Sequence, residues 1–292
     1  MVSAGERPLQ ELLPRVVSIL YNQQPNRQMD LQLRQKTALV TGSTAGIGFS
    51  IAKKLLAEGT EVIITGRTEQ RIQDAIDQLK DQQPEANVRG VAVDFGQTSD
   101  IDRLIQQEPE VDILVNNVGI FEPKDFVDIS DEDWFRFFTV NVMSGVRLSR
   151  HYLPRMLQRN WGRILFISSE SGLHIPTEMI HYGTTKTAQL AISRGLAELT
   201  TGTDVTVNAV LPGPTYSEGV GEFIRSLARQ QQKDEAQVEK EFFQHARPTS
   251  ILQRFASTDE VANMVVYLSS PLASATNGAA VRVDGGVVRT IA

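Results

Sequence analysis

The 292-residue chain contains no cysteine. Disulfides, thiolate nucleophiles and thiolate metal sites are therefore excluded, and a reducing, cytoplasmic location is expected. No apolar run approaches the ~18 residues of a membrane span, so no membrane partner is predicted. The net charge is -6, and no cluster of lysines and arginines is present, which disfavours nucleic-acid partners. The four histidines lack metal-ligand spacing, and no metal site is predicted.

The first thirty residues differ in character from the rest. The segment 9–20, LQELLPRVVSIL, carries charges and a proline, which argues against a signal-peptide core. We expect residues 1–30 to form a weakly ordered N-terminal arm. Because the sequence from Met29 reads like a natural protein start, residues 1–28 are interpreted as an upstream extension without chemistry. Residues 31–292 are predicted to form a single catalytic domain.

Short apolar or β-branched runs alternate with helical patterns along the remaining chain. The predicted strands are 36–41, 61–65, 88–94, 111–117, 162–168, 203–211 and 279–283. The predicted helices lie at about 46–58, 68–82, 98–107, 131–159, 181–200 and 257–269. This alternation predicts an α/β fold with a doubly wound, Rossmann-type, seven-stranded parallel sheet. Residues 215–250 depart from the pattern, and we expect this charged, helical insertion to form a lid over the substrate.

A glycine-rich turn, TGSTAGIG over residues 41–48, follows the first predicted strand. Glycines let the backbone approach a phosphate, and the next helix offers it unpaired N–H groups. The spacing differs from the common G-x-G-x-x-G fingerprint and lacks the Gly-Lys-Ser/Thr ending of a P-loop. A dinucleotide is therefore predicted in preference to a nucleoside triphosphate. The expected contacts from this turn are Gly42, Ser43, Thr44, Gly46, Ile47 and Gly48.

The end of the second strand bears on which dinucleotide is used. An NAD-binding fold usually places an Asp or Glu there to hold the ribose 2′-OH. Here the strand ends in Gly66 and Arg67, and a guanidinium suits the 2′-phosphate of NADP. NADP(H) is therefore favoured and NAD(H) is the alternative, although Arg67 could also be a solvated surface charge. Asp94 and Phe95 are expected beside the adenine, although Asp94 could equally cap the next helix.

Tyr182 and Lys186 stand four residues apart at the start of a predicted helix and share one face of it. An ammonium beside a phenol favours the phenolate. We therefore expect Lys186 to lower the pKa of Tyr182 from about 10 towards neutrality. The phenol would then donate or accept a proton near neutral pH. A surface pair without chemistry is the alternative interpretation.

With the glycine turn and the run VNNVGI over residues 115–120, this pair makes the chain resemble the short-chain dehydrogenase/reductase family, from about Lys36 to Val288. The likeness is to an NADP-preferring, 3-oxoacyl-reductase-like branch. It implies a catalytic set completed by Ser169, thirteen residues before the tyrosine, and by Asn141. The further cofactor contacts that it implies are Asn117, Val118, Gly119, Tyr182, Lys186, Pro212, Gly213 and Thr215.

The resemblance implies NADPH-dependent reduction of a ketone or aldehyde, or the reverse oxidation of a secondary alcohol. Tyr182 would donate a proton to the carbonyl oxygen and Ser169 a hydrogen bond. Lys186 would grip the nicotinamide ribose, and Asn141 would fix a water that links Lys186 to solvent. The alternatives are an NAD-preferring alcohol dehydrogenase and a non-catalytic NADP-binding sensor or scaffold.

The expected partners are a small carbonyl or alcohol substrate and further copies of the chain. By family analogy, helices 131–159 and 181–200 would form the interface of a homotetramer or dimer. For His181, a contact with the substrate and a role in packing are the two alternatives. Phe121 and Ile175 belong to the predicted pocket. The expected substrate contacts are Ser171, Leu173, His174 and Tyr216.

Overall fold

A computed structural model describes residues 29–291 of the chain. The predicted arm of residues 1–28 lies outside the described residues. The first half contains, in chain order, β1 (Thr37–Val40), α1 (Gly46–Ala57), β2 (Glu61–Gly66), α2 (Glu69–Gln82), β3 (Val88–Ala92), α3 (Thr98–Gln107) and β4 (Ile113–Asn116). The second half contains α4 (Asp131–Phe138), α5 (Ser144–Gln158), β5 (Gly162–Ile167), α6 (Ile180–Glu198), β6 (Val205–Pro212), β7 (Thr215–Tyr216), α7 (Glu218–Gln231), α8 (Glu235–His245), β8 (Ala256–Ser257), α9 (Thr258–Ser269) and β9 (Ala280–Val283).

Seven strands form one parallel sheet in the order β3-β2-β1-β4-β5-β6-β9. The chain leaves β3 at one edge and returns to pair β4 with β1, so the strand order reverses at the centre of the sheet. The predicted seven-stranded, doubly wound fold is thereby confirmed. Ligands of such sheets bind at this reversal, beyond the carboxyl ends of the strands.

Both faces of the sheet are buried, which explains why its strands are apolar without alternation. Successive side chains of a strand point to opposite faces. In β1, Ala38 and Val40 pack into one apolar cluster, with α1 and α9, whereas Leu39 packs into a second cluster with α5. Helices therefore pack on both faces of the sheet, and the loops at its carboxyl edge are left to contribute functional residues.

The prediction of a single α-helix over residues 131–159 is wrong. Residues Thr139–Met143 form one wide π-helical turn between α4 and α5. Asn141 lies in this turn, where its side chain bonds the backbone of Ile120 and its carbonyl accepts from Gln189. These outside partners account for the departure from regular α-helical bonding. Such single π turns are frequent at functional sites.

The insertion 215–250 contains two helices, α7 and α8. Helix α7 is terminated by Gln232, the residue after its last turn, whose backbone is left-handed with φ 54°, and Asp234 caps α8 by accepting from the Gln237 amide. A separate apolar cluster joins the two helices through Ile224, Phe243 and Phe255. The insertion therefore has a small core of its own, and both of its helices contribute residues to the lining of the cavity described below.

Candidate active site

The glycine turn after β1 forms a cradle that only glycine permits at its centre. Gly42 and Gly46 have left-handed backbones, with φ of 61° and 59°. A Cβ on Gly48 would lie 2.4 Å from the Gly42 carbonyl oxygen and 2.5 Å from Asn117 Nδ2. Ala45 precedes α1 without a capping side chain, and the first turn of α1 holds no acidic residue. The first N–H groups of α1 are thus available to a phosphate, so the residues present fit a dinucleotide.

Two predicted contacts of this turn serve to hold its shape. Ser43 is fully buried; its hydroxyl donates to the Val40 carbonyl and accepts from the Thr65 amide. Asn117 donates from Nδ2 to the carbonyls of residues 41 and 42, both at 2.9 Å. Val118 packs on Gly42, since a Cβ there would lie 3.1 Å from the Val118 Cα. The second asparagine of the Asn-Asn run therefore ties β4 to the phosphate turn.

The end of β2 presents two arginines and no carboxylate. A Cβ on Gly66 would lie 2.5 Å from the Thr44 methyl group, so packing forbids the acidic residue of NAD-binding folds at this point. Arg67 and Arg71 are both exposed, and no side-chain hydrogen bond or ion pair holds either guanidinium among the described residues. Arg71 lines the cavity and was missed in the sequence analysis. Its signal was its place in the first turn of α2, close behind Arg67 in the sequence.

Ser169 stands at the carboxyl end of β5 and caps the short 3-10 turn Glu170–Gly172. Its hydroxyl accepts from the Ser171 amide at 3.1 Å, and Ser169 as a whole is only 6% exposed. Small residues let α6 approach this turn. A Cβ on Gly172 would lie 3.0 Å from the Lys186 backbone, and one on Gly183 would lie 3.0 Å from the Ser171 carbonyl. This close packing sets the first turn of α6 beside the serine.

Lys186 reaches the site through buried surroundings. Its ammonium donates to the Ile167 carbonyl at 2.9 Å and to Gln189 Oε1 at 3.3 Å. It lies 5.6 Å from the centre of the Tyr182 ring. The residue is 4% exposed, and burial lowers the pKa of its ammonium to about 8. A lysine with such a pKa is charged at neutral pH but loses its charge as the pH rises above about 8.

The expected lowering of the tyrosine pKa is wrong for this structure. Burial raises the pKa of the Tyr182 phenol above its ordinary value, and the Glu170 carboxylate raises it further. The ammonium of Lys186 is directed to a carbonyl and an amide and does not dominate the phenol's surroundings. The spacing in the sequence reveals the neighbouring cation, whereas the burial that outweighs it appears only in the folded structure.

Gln189 joins Lys186 to Asn141 and was also missed. Its side chain is 2% exposed, accepts from the lysine, and donates from Nε2 to the Asn141 carbonyl oxygen at 2.6 Å. Asn141 itself bonds Ile120 and donates to Thr185 Oγ1 at 3.0 Å. Gln189 thus links Lys186 directly to the backbone of Asn141. The signal was local, because residues 186 and 189 share a face of α6.

Glu170 and Arg247 form a buried ion pair against the serine. Arg247 Nε donates to Glu170 Oε1 at 3.1 Å, and Ser169 Oγ donates to Glu170 Oε2 at 2.5 Å. Glu170 is 5% exposed and Arg247 is 8% exposed. Arg247 follows α8, so the pair ties the insertion 215–250 to the turn that carries the serine. No pattern in the sequence connects two residues so far apart.

One cavity of about 1040 Å³ runs from the glycine turn past Ser169 to the insertion 215–250. Among the predicted residues, those that line it are Gly46, Ile47, Gly48, Asn117, Gly119, Ser169, Ser171, Tyr182, Lys186, Pro212, Gly213 and Thr215. Phe121 lines it as well and meets the Tyr182 ring edge-on at 6.4 Å. The apolar wall is completed by residues of the insertion 215–250, such as Phe223, Leu227 and Phe242.

Other predicted contacts lie away from this cavity. The side chain of Phe95 is buried in the core and only its backbone could meet an adenine, while Asp94 accepts from the Gly96 amide. Those predicted for the substrate but outside the lining are Leu173, His174, Ile175 and Tyr216. His181 is fully buried and packs on Phe137, with ring centres 4.0 Å apart, so its role is packing.

Within residues 29–291, no group of three or more His, Cys, Asp or Glu side chains could hold a metal ion. Within the same range, none of the helices combines the length and the apolar character that a bilayer crossing needs.

The phosphate cradle, the arginines after β2 and the Tyr182–Lys186 pair beside one cavity are the features of an NAD(P)-dependent oxidoreductase. Residues 36–228 match the family model of the short chain dehydrogenases, and the chain belongs to this family. It is 53% identical over 263 residues to the uncharacterized oxidoreductase YvaG of Bacillus subtilis, covering 90% of this chain and 100% of that protein.

More distant relatives extend over the same region. The 3-oxoacyl-[acyl-carrier-protein] reductase FabG of Aquifex aeolicus is 33% identical over 263 residues, covering 89% of this chain and all of that protein. The L-sorbose reductase of Gluconobacter frateurii, solved with NADPH and L-sorbose, superposes with a TM-score of 0.84 at 29% identity. That alignment covers 90% of this chain and 100% of the other.

Proposed function

We propose that the protein reduces a ketone or aldehyde with NADPH and catalyses the reverse oxidation of the secondary alcohol. The observation that carries this proposal is the meeting of Ser169, Tyr182 and Lys186 on one wall of the cavity that begins at the phosphate cradle. Side chains that converge on a cavity with altered pKa values mark candidate catalytic groups.

The chain's own groups divide the work as follows. When bound, the dihydronicotinamide supplies a hydride to the carbonyl carbon. Tyr182 donates its phenolic proton to the carbonyl oxygen as charge develops there. Ser169 donates a hydrogen bond to the same oxygen. Lys186 supplies positive charge beside the phenol, and Gln189 and Asn141 hold the lysine in place through buried hydrogen bonds.

The preference for NADPH is supported by the absence of an acid and the presence of two bases at the end of β2. Arg67 and Arg71 together would hold the 2′-phosphate. Loss of one hydrogen bond to a charged group amounts to about 1.5–3 kcal/mol, or roughly ten- to one-hundredfold in affinity. We expect Arg67→Gln and Arg71→Gln to weaken NADPH binding by about this factor and to leave NADH binding nearly unchanged.

Fluorescence titration of the purified protein with each reduced cofactor measures this difference. Arg194→Gln is a matched control, because Arg194 lies on the surface of α6 in an exposed pair with Glu198. Equal losses for NADPH and NADH in the β2 variants, or tighter binding of NADH by the unaltered protein, would support the NAD-preferring alternative.

Turnover is tested by the absorbance of the reduced cofactor with a panel of ketones, aldehydes and alcohols. Tyr182→Phe removes the proton donor and should lower kcat by about a hundredfold to ten-thousandfold without preventing NADPH binding. Tyr267→Phe is the matched control, since Tyr267 is 39% exposed on α9. Tight NADPH binding with no turnover of any substrate would revive the sensor interpretation.

We also propose that the chain forms a homo-oligomer, either a dimer or a tetramer, through α4, α5 and α6. Phe135 is 72% exposed and Phe138 is 43% exposed, although both are large apolar side chains. Burial of these rings by a second copy would remove apolar surface from water. Phe135→Glu should shift the mass measured by light scattering towards the monomer, and an unaltered protein of monomeric mass would contradict the proposal.

A further inference from the structure

An acidic side chain that the proposed reaction does not use lies against the proposed catalytic serine. Glu170 lines the cavity, and its Oε2 accepts the Ser169 hydroxyl at 2.5 Å. A serine hydroxyl has a single proton to donate. While that proton is directed to Glu170, Ser169 cannot donate to a substrate carbonyl oxygen. The resting arrangement therefore withholds one of the two donors that the reduction needs.

The surroundings of Glu170 determine which substrate could change this arrangement. Arg247 is the cation at this end, and it is already shared: Nε bonds Glu170, and Nη1 lies 3.5 Å from Glu178 Oε1 and donates to the Ala246 carbonyl at 2.8 Å. Two carboxylates thus meet one guanidinium. A substrate carboxylate or phosphate would add a further negative charge here and be repelled. A hydroxyl can donate to a carboxylate oxygen in a charge-assisted hydrogen bond.

We propose that Glu170 selects α-hydroxyketones, which carry a hydroxyl on the carbon next to the carbonyl. The inference depends on the proposed function, because that function places the carbonyl oxygen between Ser169 and Tyr182. An oxygen at that place lies close to Glu170 Oε2, which is itself in contact with Ser169. The neighbouring hydroxyl donates to Glu170, and the Ser169 proton turns to the carbonyl oxygen. A plain ketone brings no replacement donor and sets its oxygen beside a carboxylate.

Arg247 acts here as a positioning residue. It holds Glu170 Oε1, so that Oε2 faces the serine and the cavity, and it balances the buried charge. Because Arg247 belongs to the lid and Glu170 to the sheet edge, the hydroxyl acceptor is complete only with the lid in the described position. Arg247→Lys keeps the charge and should keep the substrate preference, with a raised KM.

The experiment compares kcat/KM for two matched ketones, 3-hydroxy-2-butanone and 2-butanone, with NADPH. Acetoacetate is added as an anionic ketone of similar size. We expect the hydroxyketone to exceed 2-butanone by about ten- to one-hundredfold, the worth of a hydrogen bond to a charged group. Acetoacetate should be the poorest of the three.

Glu170→Gln tests the residue without changing its shape. The amide binds a hydroxyl more weakly and releases the serine proton more readily. The ratio between the two ketones should therefore fall by about tenfold, with 2-butanone itself reduced faster than by the unaltered protein. The ratio is the informative quantity, since any change in the Tyr182 pKa acts on both ketones. Glu178→Gln removes a second carboxylate near Arg247 that does not touch Ser169, and it should leave the ratio within about twofold.

The results separate the two proposals. Turnover of both ketones at equal kcat/KM, or an unchanged ratio in Glu170→Gln, overturns the selection by Glu170 and leaves the oxidoreductase proposal intact. Absence of turnover of every ketone and alcohol with either cofactor overturns the proposed function, and the selection with it. A preference for acetoacetate also refutes the inference, because it would require a net positive site.

Discussion

The buried ammonium of Lys186 gives a prediction that needs neither substrate nor cofactor. No carboxylate pairs with it in the described part of the chain, and its partners are a carbonyl and an amide. Burial lowers its pKa from 10.5 to about 8. Between these two values the unfolded chain binds more protons than the folded one, so the free energy of unfolding must rise with pH there. Below about pH 8 both states are protonated, and the destabilisation is fully present.

Replacement of Lys186 by Met removes this dependence and retains an unbranched side chain. The full difference corresponds to roughly 3 kcal/mol, at 1.36 kcal/mol for each pH unit between the folded and unfolded pKa values. Between about pH 7 and pH 9.5, roughly 2 kcal/mol of it is relieved. The unaltered protein should therefore gain about 2 kcal/mol over this interval relative to Lys186→Met.

Urea unfolding of both proteins at the two pH values, without cofactor, measures the difference. Lys80→Met is the control, since Lys80 lies exposed in the last turn of α2, and it should follow the unaltered protein. Curves in which Lys186→Met and the unaltered protein change in parallel between the two pH values would refute the reasoning. A smaller gain in the unaltered protein would have the same meaning.

Three further predictions concern single buried positions. Gln189→Leu leaves the Asn141 carbonyl and one Lys186 proton without partners, which should lower the free energy of unfolding by about 2–4 kcal/mol in urea and lower kcat more than NADPH affinity. Gly48→Ala sets a methyl group 2.4 Å from a carbonyl oxygen, so it should cost about 1–3 kcal/mol in urea unfolding and weaken cofactor binding in a fluorescence titration. Burial lowers the pKa of His181, whose two ring nitrogens lack partners in the described structure, so the unfolded chain binds more protons below its ordinary pKa of 6.5. His181→Leu should therefore lose less Tm than the unaltered protein between about pH 7 and pH 5, as followed by circular dichroism.

The sheet was predictable because its signal is local. Each strand is a short apolar run, each helix follows with its own periodicity, and alternation of the two permits few topologies. The family resemblance pointed to Ser169 through its thirteen-residue spacing from Tyr182. The strand ends differ by at most two residues, for example Val88–Ala92 in place of 88–94, as expected for boundaries.

The rest of the site depends on contacts that spacing does not encode. Glu170 meets Arg247 across 77 positions, and the carbonyl of Asn141 meets Gln189 across 48. The π turn at Asn141 arises because partners outside the helix hold its side chain and carbonyl. Burial of Lys186 likewise appears only once α6 has packed on the serine turn. Each of these features changes the chemistry of a residue in the proposed catalytic set.

The raised pKa of Tyr182 bears on the direction of the proposed reaction. Burial and the Glu170 carboxylate keep the Tyr182 phenol protonated at neutral pH, so it remains available as a proton donor. Oxidation needs the phenolate at the same place, and each pH unit below the pKa makes that form about 1.4 kcal/mol less available. The Lys186 ammonium favours the phenolate only while it keeps its own proton, and burial brings the pKa of that ammonium to about 8. Raising the pH to release the phenol would therefore discharge the cation that supports it. We therefore expect the proposed oxidation to slow as the pH falls, whereas the proposed reduction keeps its proton donor; rates of both directions measured against pH test this expectation.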